Sequence, residues 1–275
     1  SDLNDCKGFG GARMNGKGNS SDFIKFLGTA GARVVVSKQL RSSGGMWICL
    51  GGKNIFFDPG PGALVRCWDS NPPMDPSSLD AIVLTHRHLD HSGDMNAMVE
   101  AMVEGGFTPH GEVFAPGDAL NGPEPILFKY LRRYLQRINT ITEGSRFYLS
   151  DIEIEFPVRH LHPVETYGVK LKYQDKSISY IVDTRFFPEL IESYRAQVLI
   201  ISMTFMYPFY GNNVFHLSSK EIVPLIKGIN PKIVFLTHFG RRVVEVGPEI
   251  IAGKLEEETG IRVCAAQDGM EYSIN

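Results

Sequence analysis

The chain has 275 residues, of which 43% are hydrophobic and 21% charged, so it can bury a large core and still present a polar surface. Its formal net charge of −3, with no long run of Lys or Arg, excludes a protein that coats nucleic acids generally. No apolar stretch approaches the roughly 20 residues of a membrane-spanning helix, so we expect a cytoplasmic protein with no membrane partner.

The N-terminal segment is rich in Gly, Asn and Ser and has almost no apolar periodicity. Such a segment buries too little apolar surface to offset the entropy lost on ordering, so we predict a flexible tail over residues 1–21. A single domain is predicted over residues 22–275, because no linker-like stretch or internal repeat interrupts it. Cys6, Cys49, Cys67 and Cys264 form no CxxC pair, which favours buried or incidental thiols over a disulfide framework or a thiolate zinc site.

Short β-branched and aromatic runs between Gly, Pro, Asn and Asp residues predict strands along the rest of the chain. These runs are FIKFL, MWICL, NIFFD, AIVL, EVFA, IEIEF, VKLKY, ISYIV, VLIIS, KIVFLT and RVCA. The runs VKLKY and ISYIV are close enough in sequence to predict an antiparallel hairpin.

Helical patterns alternate with the strand runs and predict helices over residues 94–103, 125–138 and 248–258, and after Leu217. The helix after Leu217 opens with Ser218 and Glu221 at the spacing of a capping box. Pro224 would lie inside it, which requires either a kink or a later start. Strands and helices therefore mix along the whole chain, and the fold class predicted is mixed α/β.

The segment 81–94, AIVLTHRHLDHSGD, carries the chemistry. An apolar strand leads into four potential metal ligands within six residues, namely His86, His88, Asp90 and His91. A strand that ends in a turn can direct His86 and His88 to one point, while Asp90 and His91 continue toward a second point. Imidazole and carboxylate groups are suitable ligands for Zn²⁺ in a catalytic site, so the segment predicts metal binding.

Three further predicted strands end at residues of the ligand type. Asp183 follows the strand around residue 180, His238 follows the strand around residue 235, and His160 and His162 follow a strand that ends near residue 157. Active sites on sheets assemble from strand ends and the loops after them, so these residues are candidates for the same site.

These residues and motifs resemble those of the metallo-β-lactamase-fold hydrolases. The HxHxDH signature stands as His86, His88, Asp90 and His91, and the later ligands of that family are matched in order by His162, Asp183 and His238. The resemblance covers most of the chain from Phe23 onward. It is greatest to the ribonuclease Z and cyclic-phosphodiesterase branch, in four segments: FLGTAG at 26–31, IFFDPG at 55–60, HPVETYG at 162–168 and FLTHFG at 235–240.

The resemblance implies a four-layer αβ/βα sandwich of two mixed β-sheets with helices outside and two divalent metal ions at one edge. By that resemblance His86, His88 and His162 hold one ion, Asp90, His91 and His238 hold the other, and Asp183 bridges them. His160 competes with His162 for its place, and His162 is preferred because the residues after it match the branch pattern. Asp58 is either an ordinary turn residue or an acid that orients a metal ligand.

The function implied is hydrolysis of a phosphodiester by a hydroxide that two ions share, with zinc as the expected metal and manganese or iron as alternatives. Asp90 is the candidate to orient the hydroxide. His216 is the candidate to stabilise or protonate the leaving group, because ribonuclease Z-like proteins carry a non-ligand histidine at a similar place. The expected substrate is a nucleotide, a cyclic phosphodiester or an RNA end.

Two departures from ribonuclease Z bear on that substrate. The loop 39–45 keeps an Arg but lacks the expected Asn, and no tRNA-gripping arm is recognisable. A helix predicted over residues 128–137 would offer only a modest basic face with aromatic residues. A small phosphodiester therefore fits at least as well as tRNA.

Other interpretations are kept at this stage. The aromatic segment 205–211 either walls a substrate pocket or forms a homodimer surface. A hydrolase of a lactone, a thioester or a β-lactam would use the same ligands. A binding protein that retains metal without turnover is a third interpretation.

Overall fold

Two seven-stranded sheets form the framework of this computed structural model, which describes residues 21–208 and 215–275. The order of the first sheet is β14-β1-β2-β3-β4-β5-β6. Its strands are β1 Phe23–Phe26, β2 Met46–Leu50, β3 Lys53–Phe57, β4 Ala81–Val83, β5 Glu112–Pro116, β6 Arg137–Ile141 and β14 Glu271–Ser273. Pairing is antiparallel from β14 to β3 and parallel from β3 to β6.

The second sheet repeats this change from antiparallel to parallel pairing. Its order is β13-β12-β11-β10-β9-β8-β7. Its strands are β7 Ser145–Leu149, β8 Ile152–Phe156, β9 Val169–Tyr173, β10 Lys176–Ile181, β11 Val198–Ser202, β12 Ile233–Thr237 and β13 Arg262–Ala265. Pairing is antiparallel from β7 to β10 and parallel from β10 to β13. The predicted hairpin is confirmed as β9 and β10.

Helices connect the strands and cover the outer faces of the sheets. They are α1 Ala32–Ser37, α2 Ala63–Asp69, α3 Leu89–Ser92, α4 Met95–Met102, α5 Gly117–Asn121, α6 Lys129–Arg132, α7 Glu189–Ser193, α8 Ser219–Ile229, α9 Arg241–Val246 and α10 Pro248–Thr259, with 3₁₀ turns at Pro76–Ser78 and Glu104–Gly106. None of the helices in the described part of the chain is long and apolar enough to cross a membrane.

Three apolar clusters lie between the four layers of the described part of the chain, which are two sheets and the helices outside them. One fills the space between the sheets, where the rings of Phe26 and Phe235 lie 5.4 Å apart. A second packs Met98 and other α4 residues on the outer face of the first sheet. The third packs α8 and α10 on the outer face of the second sheet, through residues such as Leu225 and Leu255. This is the predicted αβ/βα sandwich, with its layers held by burial of apolar surface.

Each predicted strand run overlaps an observed strand, but the helix predicted over residues 125–138 was wrong. The structure has only the short α6 there, followed by β6, which pairs in parallel with β5. Pairing to a sheet edge outweighs the local helical pattern. The helix predicted over 128–137 to carry a basic face is absent too, and the Arg132 guanidinium donates to the carbonyl groups of Leu120 and Leu127.

Other local predictions have mixed outcomes. The capping box forms, and α8 begins at Ser219 with Pro224 inside it, so the later start is excluded. The α10 helix begins at Pro248, as predicted, and ends at Thr259 with Gly260 as its C-cap. Cys49, Cys67 and Cys264 are buried. Residues 1–20 of the predicted tail, together with Cys6, lie outside the described residues.

Candidate metal centre

The carboxyl ends of four strands bring the predicted site residues to one edge of the sandwich. Asp58 follows β3, and the segment from Thr85 follows β4, its parallel neighbour. In the second sheet, Asp183 lies just beyond β10, and His238 directly follows β12. Parallel strands end at the same sheet edge, which is why residues far apart in sequence meet there.

The first candidate ligand group consists of His86, His88 and His162, whose ligand atoms lie within 4.8 Å of one another. His88 Nδ1 and His162 Nε2 are 3.1 Å apart. The other ring nitrogen of His162, Nδ1, lies 3.2 Å from the Phe215 carbonyl oxygen, to which it must donate its proton. Nε2 of a neutral His162 therefore directs a lone pair into the group.

The second candidate group consists of Asp90, His91 and His238, also within 4.8 Å of one another. Nε2 of His91 and Nε2 of His238 are 3.0 Å apart, and Asp90 Oδ2 lies 3.3 Å from the His238 nitrogen. Two ring nitrogens that face each other need a proton or a metal ion between them, since two lone pairs repel. A carboxylate beside them favours that cation.

Asp183 lies between the two groups. Its Oδ2 is 3.8 Å from Nε2 of His86 and 3.6 Å from Nε2 of His91, and its Oδ1 is 3.4 Å from Nε2 of His238. Within residues 21–208 and 215–275, His86 Nε2 and Asp183 Oδ1 are buried atoms without a hydrogen-bond partner. Buried polar atoms rarely lack a hydrogen-bond partner in folded proteins. A metal ion would satisfy both, so the residues present fit the metal that the sequence predicts.

Asp58 orients one of the site histidines. Its carboxylate accepts from the Thr85 backbone N–H at 2.7 Å and from the Thr85 hydroxyl at 2.8 Å. Oδ2 also lies 3.0 Å from His91 Nδ1, which donates to it. This bond leaves Nε2 of His91 directed at the second group. Of the two interpretations of Asp58, the structure therefore favours the orienting one.

His216 lies beside the site on the segment that leads into α8. Its Nδ1 is 3.5 Å from Asp183 Oδ2 and 3.4 Å from the Thr204 hydroxyl. Thr204 also lies 2.9 Å from Nδ1 of His238, so one hydroxyl contacts both rings. The His216 side chain is 23% exposed, which leaves part of it accessible to a substrate.

His160 does not join either group. It is buried, and its Nε2 lies 2.9 Å from the Tyr194 hydroxyl. Burial lowers the pKa of the His160 ring to about 3, so the ring is neutral. The geometry thus separates two histidines that the sequence left in competition.

The electrostatics of the site favour a bound cation. Burial by itself would raise the pKa of the Asp183 carboxyl, but His238, His216 and His91 hold it well below its usual range. Burial lowers the pKa of the His162 ring to about 4, which keeps its lone pair available. The site therefore combines an ionised buried carboxylate with a neutral imidazole, the protonation states that metal ligands require.

The pKa of the His91 ring also shows the effect of the negative charges in the site. Burial lowers its pKa, but the carboxylates of Asp90, Asp58 and Asp183 raise it well above the usual range. The charge that favours a proton on this ring would equally favour a metal ion next to it.

Close backbone packing supports the site from behind, and it explains two glycines of the sequence motifs. A Cβ at Gly31 would lie 2.3 Å from the carbonyl oxygen of His238. A Cβ at Gly60 would lie 2.2 Å from the carbonyl oxygen of Asp90. His238 itself has a φ of 60° and Asp58 a φ of 52°, both in the left-handed region. Such strain is concentrated at functional sites in proteins.

Sequence reasoning missed several residues that contact the site. Thr204 gave no signal beyond its place after a predicted strand. Arg185 follows the candidate bridge closely in sequence, and its guanidinium lies over the Phe215 ring at 4.5 Å. Part of the aromatic segment 205–211, namely 209–211, lies outside the described residues. Of the rest, Phe205 packs its ring against His216 and Tyr207 is exposed.

Comparison with known proteins agrees with this fold. Residues 53–239 match the beta-lactamase superfamily domain model. The uncharacterized protein MJ1374 of Methanocaldococcus jannaschii is 28% identical over 260 residues, covering 91% of this chain and 94% of that protein. The architecture and the clustered histidines and aspartates are those of a metallo-β-lactamase sandwich. The chain belongs to the beta-lactamase superfamily.

Two solved structures show the same fold. The metallo-β-lactamase fold protein YhfI of Bacillus subtilis aligns with a TM-score of 0.76 at 18% identity, covering 93% of this chain and all of YhfI. The short form of human tRNase Z aligns with a TM-score of 0.67 at 17% identity, covering 92% of this chain and 99% of that one.

Proposed function

We propose that the chain is a metal-dependent hydrolase that cleaves phosphodiesters with two divalent ions. The observation that carries this proposal is the pair of facing ring nitrogens in each ligand group, His88 with His162 and His91 with His238, with Asp183 between them. Facing lone pairs of this kind repel one another unless a proton or a metal ion lies between them.

In this proposal His86, His88 and His162 hold one ion, Asp90, His91 and His238 hold the other, and Asp183 contacts both. When bound, two such ions lower the pKa of water and neutralise charge on a substrate oxygen. Zinc is the proposed metal, because imidazole and carboxylate ligands suit it and no thiolate is needed.

The protein's own residues supply orientation and proton transfer. Asp58 and Thr204 fix the rings of His91 and His238 through their Nδ1 atoms. Asp90 directs Oδ2 to His238, which leaves its other oxygen to accept a hydrogen bond from the attacking water and so to orient it. His216 can give a proton to the leaving oxygen, because it is partly exposed and borders the site.

A positively charged side chain, Arg185, supports the proposal of an anionic substrate. The Arg185 guanidinium stacks on Phe215, whose carbonyl oxygen accepts from His162. This places a fixed positive charge near the first ligand group, where it can bind a phosphate oxygen. The likeness in fold to tRNase Z is consistent with a phosphodiester as the substrate. A small phosphodiester or an RNA end is therefore proposed.

A substrate panel tests this proposal. The zinc-loaded protein is assayed with bis(p-nitrophenyl) phosphate, a cyclic nucleotide, a lactone, a thioester and a β-lactam, with Arg185→Leu alongside. We expect turnover of the phosphodiesters and a raised KM for them in Arg185→Leu. Turnover of only the lactone, the thioester or the β-lactam would overturn the phosphodiester assignment. Bound metal without turnover of any substrate would favour a metal-bearing binding protein.

A further inference from the structure

The residue between the first two histidines of the motif, Arg87, points away from the metal centre toward α5. Its Nε lies 3.3 Å from Asp118 Oδ2, and its Nη1 lies 3.1 Å from Glu124 Oε2. The Arg87 and Asp118 side chains are 33% and 28% exposed, whereas Glu124 is 81% exposed. The ion pair with Asp118 is therefore partly shielded from water, and the pair with Glu124 is not.

Asp118 is joined in turn to the loop that carries His162. The Asp118 backbone N–H donates to Glu165 Oε2 at 3.1 Å, and the Glu165 backbone N–H donates to Asp118 Oδ2 at 3.2 Å. Each residue thus caps the other's backbone with its carboxylate. The Tyr167 hydroxyl donates to the second oxygen of Glu165 at 2.9 Å, which fixes that side chain.

These contacts connect the two segments that form the first ligand group. His86 and His88 flank Arg87 on one segment, and His162 precedes Glu165 by a few residues on the other. The backbone N–H of Tyr167 also donates to the Thr85 carbonyl oxygen at 3.1 Å, next to His86. The carboxylate of Asp118 is shared by Arg87 on one segment and by Glu165 on the other.

The network leaves one oxygen of the Asp118 carboxylate unsatisfied among the described residues. Asp118 Oδ1 is a buried atom with no hydrogen-bond partner in the described part of the chain. A buried acceptor without a partner costs free energy. The role of the Asp118 carboxylate therefore lies in the segments that it holds in place.

We propose that Asp118 and Glu165 are positioning residues that fix the separation of His88 and His162, and so set the affinity of the first ligand group for its ion. This inference rests on the metal centre of the proposed function. Metal sites require their ligand atoms to be placed within about 0.2 Å. Without the Arg87–Asp118–Glu165 connection, the Tyr167–Thr85 backbone hydrogen bond would still join the two segments, but the loops around His88 and His162 would lose this side-chain link.

The test compares Asp118→Asn and Glu165→Gln with two matched controls. Glu124→Gln removes the other carboxylate that pairs with Arg87, so it controls for lost charge near the site. Asp80→Asn removes a carboxylate that is 27% exposed, accepts from Lys53 at 2.8 Å and from a backbone N–H, and is remote from the centre. It controls for the loss of a comparable ion pair.

The readouts are the dissociation constants of two Co²⁺ ions by chelator competition, the visible spectrum of the Co²⁺ protein, and the unfolding midpoint of the metal-free protein. We expect Asp118→Asn and Glu165→Gln to lower the affinity for one of the two Co²⁺ ions by about 10–100-fold and to change the visible spectrum of that ion. The affinity for the other ion should not change. Both controls should bind Co²⁺ with dissociation constants within about threefold of wild type, because substitutions at sites that share no partners have nearly independent effects.

Wild-type affinity and spectrum in both Asp118→Asn and Glu165→Gln, or an equal loss in Glu124→Gln, would overturn the inference. A lower unfolding midpoint without a change in Co²⁺ affinity would also overturn it, since it would show a structural role only. If the wild-type protein itself binds no Co²⁺, the proposed function fails first, and the two failures are thus distinguished. If one of Asp118→Asn and Glu165→Gln does not fold, the Co²⁺ affinity and spectrum of the other variant decide the outcome by the same criteria.

Discussion

Asp183 Oδ2 and His216 Nδ1 lie 3.5 Å apart, so the histidine contacts the same carboxylate that joins the two candidate ligand groups. The His216 ring also lies nearly parallel to the His238 ring, with centroids 5.9 Å apart. His216 is thus close enough to be a further metal donor, or to act on a substrate held there. The two roles predict different behaviour of one variant.

For His216→Ala, we expect both metal ions to be retained and turnover to fall by roughly 10²–10⁴-fold, as for loss of a general acid. The loss should be smaller with a nitrophenyl ester, because nitrophenolate leaves without needing a proton. Metal analysis and kcat on activated and unactivated esters measure this. His110→Ala is the control, since that partly buried ring lies within hydrogen-bond distance of the Thr108 and Ser77 carbonyl oxygens and belongs to neither ligand group. Loss of an ion would make His216 a ligand, and unchanged turnover on both esters would remove it from the mechanism.

For Asp183→Ala, we expect occupancy at both metal positions to fall together, because the carboxylate is within 3.8 Å of histidines in both groups. Turnover should fall by more than the roughly 10–100-fold expected for loss of a residue that only orients a ligand. Asp58→Asn supplies that comparison. Metal content by mass spectrometry and kcat/KM are measured on both variants. Unchanged metal content in Asp183→Ala would contradict the bridging role.

Removal of metal should abolish activity and lower thermal stability. Ions that bind only the folded state stabilise it by RT ln(1 + [L]/Kd), which is about 2.7 kcal/mol at a hundredfold excess of metal over Kd. Dialysis against a chelator, followed by thermal unfolding with and without added Zn²⁺, measures the shift. We expect two ions per chain at saturation. Full activity in a preparation shown to be metal-free would contradict the proposal.

The two histidines of the loop after β8 should differ in the effects of their loss. His162→Ala should lose an ion while its metal-free stability stays near that of wild type. His160→Ala should keep both ions but lose about 1–3 kcal/mol of stability, because the buried Tyr194 hydroxyl loses its hydrogen bond to the His160 ring. Metal titration and chemical denaturation of both variants measure this. The reverse pattern would exchange their roles.

The sequence alone predicted much of the fold and named all seven candidate ligands, with His160 as a competitor of His162. The strand runs are strongly apolar and are separated by Gly, Pro, Asn and Asp, so their local pattern already indicates the sheets. It was insufficient at 125–138, where a helical pattern gives way to β6. The choice between the two structures there depends on pairing with β5, which no local pattern contains. The domain bounds, the cytoplasmic location and a homodimer stay predictions.

Only the tertiary structure decided how the candidate residues are used. His160 and His162 are equivalent as residue types, and they are separated because one ring packs against Tyr194 while the other faces His88. The link from Arg87 through Asp118 to Glu165 joins two loops and helix α5, whose order in the chain gives no hint of contact. Residue identity and spacing determine which chemistry is available, because ligand atoms belong to side-chain types. Distances between strand ends determine whether those atoms meet, and these depend on the packing of both sheets.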